Sequence, residues 1–266
     1  MAFDELQSDG LGAFLDRNFD PEALWLFVHI PKTAGSSLAN EIARLRRPYR
    51  NIHVDYEDKD TPHEKQMQAA VDAFIRDAQE KRFRSASGHI TAQHARQIRE
   101  AVPNTRLVTV LRDPVARVIS DYRYARTPSH PPYQDFIRRF PTINHYVESR
   151  NSQNKMVKHL GSGKPSEVFE EFTFLGALEL YPMSFNILFR LMGENVMPQL
   201  HERKTEGTAN NKVELTPELT REIKDANAED VRIFNAVRDA LRTQRNAWAE
   251  IRKKPGPKGA PSEQPA

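Results

Sequence analysis

An apolar run, Leu24-Trp25-Leu26-Phe27-Val28, leads straight into His29-Ile30-Pro31-Lys32-Thr33-Ala34-Gly35-Ser36-Ser37-Leu38, and from there into a helix-like segment. A buried strand that ends in a loop of small residues and restarts as a helix gathers backbone N–H groups at one point. That is how a backbone holds phosphate or sulfate. The loop also carries one lysine and three hydroxyls, on Thr33, Ser36 and Ser37. It reads as an anion cradle, with Lys32 placed to neutralise charge on a bridging oxygen. The Walker phosphate loop has two glycines and a lysine near its end. Here the lysine comes first and a single glycine follows, which disfavours a nucleoside triphosphatase.

The rest of the chain repeats the alternation. Residues 24–30 and 105–111 read as buried strands, and residues 84–88 and 173–178 as shorter ones. Residues 38–47, 91–102 and 182–192 read as helices. Residues 64–83 place Met67, Ala70, Val71, Phe74, Ile75 and Ala78 at helical spacing. Asp113 is set to cap a helix that opens on Pro114 and runs to about residue 125. Residues 48–63 read as polar and irregular, and 127–132 as a proline-rich loop. Residues 133–172 read as helices broken near Pro141 and at 161–165. A polar loop spans 204–216. Residues 217–252 read as helical, with Val231, Phe234, Val237, Leu241 and Trp248 as a packing stripe. The division expected is an N-terminal arm over 1–22, one domain over 23–252 and a disordered tail over 253–266. Strands alternating with helices give an α/β fold in three layers, a central parallel sheet flanked by helices. Ligands on such sheets bind at the carboxyl ends of the strands. The Lys32 loop, the Gly88-His89 pair and the Arg112-Asp113 turn would all fall there.

Composition narrows the function classes. The 266 residues contain no cysteine, which excludes disulfides and thiolate metal sites. The formal charge of +3 is a weak basic bias that suits an anionic cosubstrate but gives no reason to expect nucleic acid. No apolar stretch approaches the roughly 18 residues of a membrane span. The N-terminus reads as neither a signal peptide nor an anchor. A cytoplasmic location is the expectation.

A second block, Val108-Thr109-Val110-Leu111-Arg112-Asp113-Pro114-Val115-Ala116-Arg117-Val118-Ile119-Ser120-Asp121-Tyr122, puts Arg112 at a strand end and Ser120 within the next helix. The two converge on a second anion, or else Arg112 pairs with a nearby acid and Ser120 is an ordinary helix residue. Together the two blocks, about 80 residues apart, resemble the sulfotransferases that use 3′-phosphoadenosine 5′-phosphosulfate (PAPS). The likeness is greatest to the branch of carbohydrate 2-O-sulfotransferases and their bacterial relatives. It covers residues 24–125 well and extends weakly to 154–161, 174–191 and the C-terminal helix.

The resemblance implies a P-loop-like nucleotide-binding sulfotransferase fold. It implies that Lys32 contacts the oxygen bridging phosphate and sulfate. The loop, Thr33, Ala34, Gly35, Ser36, Ser37 and Leu38, would hold the 5′-phosphate, and Arg112 and Ser120 the 3′-phosphate. Adenosine 3′,5′-bisphosphate would be the product, with no metal required. The acceptor needs a free hydroxyl and a general base to ionise it. Among nine histidines, His89 is the candidate, because the related 2-O-sulfotransferases carry a Gly-His at a comparable place. His29 is its rival, with a buried, hydrogen-bonded role as the alternative; His94 reads as an exposed helix residue.

The acceptor implied is a carbohydrate or glycoconjugate, with a small hydroxylated metabolite second. His53, Asp55, Glu57 and Asp58 would touch the acceptor or form a solvated loop. Arg84, Arg117, Arg123 and Arg126 would recognise an anionic acceptor or lie on solvated faces. The loop over 204–212 would close over the cosubstrate. A kinase-like nucleotide-binding protein and a non-catalytic scaffold are the alternatives from other classes.

Overall fold

A computed structural model describes residues 3–58, 60–130, 132–199, 208 and 211–254. The chain opens on two short helices, α1 (Glu5–Ser8) and α2 (Gly10–Asn18). It continues through β1 (Leu24–Val28), α3 (Gly35–Leu45), β2 (Tyr49–Ile52), α4 (His63–Glu80) and β3 (Ser85–Gly88). Next come α5 (Ala92–Ala101), β4 (Thr105–Leu111) and α6 (Pro114–Ala125). The helices α7 (Tyr133–Arg139), α8 (Ile143–Val147), α9 (Lys155–Leu160) and α10 (Pro165–Glu171) precede β5 (Phe174–Ala177). A 3₁₀ turn leads to α11 (Tyr181–Leu191), and the chain closes with α12 (Pro217–Ala226), α13 (Ala228–Thr243) and α14 (Arg245–Ile251). Among the described residues, no helix is long and apolar enough to cross a membrane.

The strands form one sheet in the order β2-β3-β1-β4-β5, and every pair is parallel. Every residue of β1 and β5 is buried, as strands covered on both faces require. From β1 the chain moves outward to β2, returns through β3 and crosses to β4. Right-handed crossovers then put α3 on one face, and α4 and α5 on the other. The reversal of direction opens a crevice at the carboxyl end of β1. The register places Val28 beside Gly88, and Phe27 between Ser87 and Val108. The loops after β1, β3 and β4 therefore leave the sheet side by side. The expected three-layer α/β architecture is the one observed.

Three elements differ from the expectation. Residues 49–52, expected to be irregular, form an edge strand. Arg50 and Asn51 are exposed and Ile52 alone is buried, so no apolar run marks it. The N-terminal residues are part of the core rather than an arm: Phe3, Leu6, Leu11 and Phe14 are buried in the main cluster. Phe3 meets Phe169 edge-on at 5.0 Å. The C-terminal helical region breaks at Asn227 and Gln244. The Asn227 amide donates back to the Ile223 carbonyl (2.9 Å) while its Oδ1 accepts from Asn154 N (3.0 Å), a turn that a continuing helix cannot offer. The stripe on α13 is Ile233, Phe234, Val237, Ala240 and Leu241; Val231 is half-buried. Residues 204–207 and 209–210 of the expected covering loop, and 255–266 of the expected tail, lie outside the described residues.

Candidate active site

The loop after β1 begins where the His29 N–H donates to the Gly88 carbonyl (2.9 Å), tying it to the end of β3. Lys32 (φ 69°) and Ala34 (φ 65°) both adopt left-handed backbone conformations, with Thr33 between them. Two non-glycine residues in that region carry strain of order 1 kcal/mol each, and such strain gathers at functional sites. Alternation of hand along a short stretch turns successive N–H groups toward one concavity, which suits an anion. Helix α3 starts at once from Gly35 and adds the positive end of its dipole. A Cβ at Gly35 would lie 1.9 Å from Cδ2 of His29, so α3 begins flush against that imidazole.

The loop residues divide by burial. The Thr33 side chain is buried, and its hydroxyl donates to the Ile30 carbonyl at 2.9 Å, closing the loop on itself. Ser36 is exposed, whereas Ser37 and Leu38 are buried. Lys32 folds back so that Nζ lies 4.0 Å above the ring of Tyr124 on α6. Burial lowers its pKa; Asp121 acts against this, while Arg112 and Lys155 reinforce it. An ammonium so placed gains from an incoming anion.

Arg112 leaves the end of β4 and donates from Nη1 to the Lys32 carbonyl (3.1 Å). The Asp113 carboxylate accepts from Ala116 N (2.9 Å) and caps α6, with Pro114 in the first turn as expected. The Asp113 N–H donates to Glu179 Oε1 (2.8 Å). Ser120 lies half-buried on α6.

His89 follows Gly88, where a Cβ would sit 2.3 Å from the Ile52 carbonyl oxygen and force the edge strand away. His89 Nδ1 lies 2.8 Å from the His29 carbonyl oxygen. A carbonyl only accepts, so Nδ1 carries the proton and Nε2 keeps its lone pair. Burial pushes the His89 pKa down, partly offset by this hydrogen bond and reinforced by His63. The rings of His29 and His89 stand 4.1 Å apart. Burial also holds His29 at about 3 and His159 at about 4, and His159 Nδ1 donates to the Ile90 carbonyl (2.9 Å). The crevice thus combines an uncharged imidazole, the residue type of a general base, with an anion cradle and two cationic side chains.

The family model of the sulfotransferase family matches residues 17–235. The chain belongs to the sulfotransferase family. It is a transferase of the α/β class, and the matched span holds the β1 loop, His89 and Arg112. Among solved structures, a sulfotransferase from Alicyclobacillus acidocaldarius is similar at 15% identity and a TM-score of 0.43, over 82% of this chain and 98% of that one. Mouse sulfotransferase SULT7A1 complexed with PAP is similar at 13% identity and a TM-score of 0.42, over 92% of this chain and 95% of that one. No curated protein sequence matches.

Within this sulfotransferase the arginines separate. Arg117 is fully buried: it donates to Asp121 Oδ2 (3.3 Å) and the Ser152 carbonyl (2.8 Å), and Nε lies 3.9 Å from Asp230. It is part of the interior rather than an acceptor contact. Arg84 sits at the opposite end of β3 and pairs with Glu22 at 3.1 Å. Arg126 donates to the Phe140 carbonyl (2.9 Å) and covers the ring of Tyr122. Arg123 is half-buried on α6. His94 is no free helix residue: its ring accepts from Thr91 N (3.3 Å) in a capping box. Asp55 and Asp58 cap turns of their own loop, accepting from Glu57 N and from Asp60 and Thr61 N.

Sequence reasoning missed Lys155 and His159. Lys155 reaches Asp121 Oδ2 at 2.6 Å, and Tyr146 donates to the same oxygen at 2.8 Å. Burial works to raise the Asp121 pKa, but Lys155 and Arg117 prevail and lower it, so Asp121 is a carboxylate. Asp230 receives the N–H groups of Met156 (3.2 Å) and Val157 (2.9 Å) and fixes the start of α9, which carries Lys155 and His159. The signal available was the polar Asn154-Lys155 pair at the start of a short helical run.

Proposed function

We propose that this sulfotransferase moves the sulfuryl group from PAPS to an acceptor hydroxyl, with His89 as general base and Lys32 assisting the leaving group. The observation that carries the reading is the His29-His89 contact. The base is hydrogen-bonded to the first residue of the anion loop, in the tautomer that leaves Nε2 able to take a proton. The residues fit the donor: a left-handed loop at the start of α3 suits the 5′-phosphate, and Arg112 and Ser120, on the next strand end and helix, suit the 3′-phosphate.

In the reaction, Nε2 of His89 accepts the acceptor hydroxyl proton as the acceptor oxygen bonds to sulfur. The bond between sulfur and the bridging oxygen breaks, and its electron pair stays on the phosphate of adenosine 3′,5′-bisphosphate. Lys32 neutralises the charge developing there. Backbone amides of residues 34–37, with Ser36 and Ser37, hold the 5′-phosphate, while the Leu38 N–H closes the first turn of α3 on the Ala34 carbonyl. Thr33 shapes the loop from inside, because its hydroxyl is committed to Ile30. The acceptor proposed is a carbohydrate or glycoconjugate hydroxyl, on the likeness of the Gly-His and loop motifs to 2-O-sulfotransferases. Calorimetry tests the donor site: adenosine 3′,5′-bisphosphate binds and magnesium ATP does not. Binding of magnesium ATP alone would replace this reading with a kinase-like one.

A further inference from the structure

The imidazole of His29 is enclosed on three sides. The ring of Phe27 stacks 5.5 Å away, within 16° of parallel. The ring of His89 lies 4.1 Å away. Gly35, first residue of α3, presses on the edge so closely that no Cβ fits between. The backbone of the same residue is also engaged: its N–H donates to Gly88, and its carbonyl accepts from His89 Nδ1. One residue therefore touches the floor of the sheet, the start of the anion loop's helix and the base.

We propose that His29 is a positioning residue, whose ring, wedged between Gly35 and the His89 imidazole, aims the base and keeps water from its inner face. The proposal rests on His89 being the base. Its chemical sense lies in the rigid path from loop to base. The turn that seats the donor and the ring that receives the proton share one support, so donor and base keep one geometry. The groups facing this pair are His63 of α4 and His159 of α9; Lys155 and Arg117 act on His159 from beyond. All are neutral or cationic, so none of them favours a charged His29 or His89. An uncharged ring is what the wedge requires.

The test uses the full chain with labelled histidine. The His89 signal is identified by its loss in His89→Gln and titrated in the wild type, in His29→Ser and in His29→Phe, which keeps a flat ring. The same proteins are measured for kcat and for adenosine 3′,5′-bisphosphate affinity. In His29→Ser, water reaches the base, and the His89 midpoint rises by about half a pH unit or more. In that variant kcat falls about tenfold or more while bisphosphate affinity changes less than about threefold. His29→Phe restores both midpoint and kcat. An unmoved midpoint in His29→Ser overturns the proposal, whether kcat is intact or falls in parallel with affinity. If the wild type transfers no sulfuryl group, the functional reading fails, and the titration alone still decides the wedge. Should His29→Ser not fold, His29→Asn, which also leaves space for water beside the base, is read by the same criteria.

Discussion

At the scale of single residues, the site depends on side chains that never face the ligand. Thr33 was expected among the phosphate ligands, yet its hydroxyl is spent on Ile30. Thr33→Val should therefore cost about 1 kcal/mol of stability in urea unfolding, while Thr33→Ser, which keeps the bond, stays near wild type. Lys32 is different, because its ammonium rests on Tyr124 and not on a carboxylate. Lys32→Ala should lower kcat about a hundredfold and leave thermal stability near wild type. The form of the loop was legible in its residue types, a glycine where the backbone meets His29 and a lysine that an arginine from the end of β4 reaches at its carbonyl. The jobs of Thr33 and Arg117 were not legible. A hydroxyl or a guanidinium carries no mark in sequence of whether it faces a ligand or the interior.

At the scale of elements, the buried polar network under α6 and α9 is the counterpart of the crevice. Arg117 and Asp121 of α6, Tyr146 of α8, Lys155 of α9 and Asp230 of α13 join four helices beneath the loops. Arg117→Met removes the buried cation from between Asp121, which keeps Lys155 and Tyr146, and Asp230, which keeps two backbone N–H donors, so chemical unfolding should show a loss of about 3 kcal/mol. The cap of α6 is a smaller term: Asp113→Ala should cost about 1 kcal/mol and loosen Arg112 beside it. Strands β1, β4 and β5 could be read from their composition, since burial on both faces forces apolar runs. Edge strand β2 could not, because Arg50 and Asn51 face solvent and its pairing partner β3 lies beyond a whole helix. The breaks in the C-terminal helices were hidden for a related reason. The break at Asn227 goes with its contact to Asn154, and the break at Gln244 with its hydrogen bonds to Leu6 and Leu11, none of which a local pattern encodes.

At the scale of the whole molecule, one parallel sheet brings the three chemistry-bearing loops to a common end, and the fold keeps its histidines there uncharged. His29 and His159 are held at about 3 and about 4 when folded, below the ordinary 6.5. The unfolded chain therefore binds more protons as acid is added. Stability is full above pH about 6.5 and is lost as pH falls toward about 4 and then 3. Urea unfolding at stepped pH should show this slope, and His29→Phe should flatten it. The account's central claim is that the crevice is a PAPS site with His89 as its base. Its most direct test is transfer of labelled sulfuryl from PAPS to a panel of hydroxylated acceptors, wild type against His89→Gln, with adenosine 3′,5′-bisphosphate affinity measured on both. The account predicts transfer by the wild type, and in His89→Gln a loss of about a hundredfold or more with affinity nearly unchanged. Transfer by His89→Gln at the wild-type rate, or no bisphosphate binding by the wild type, would contradict it.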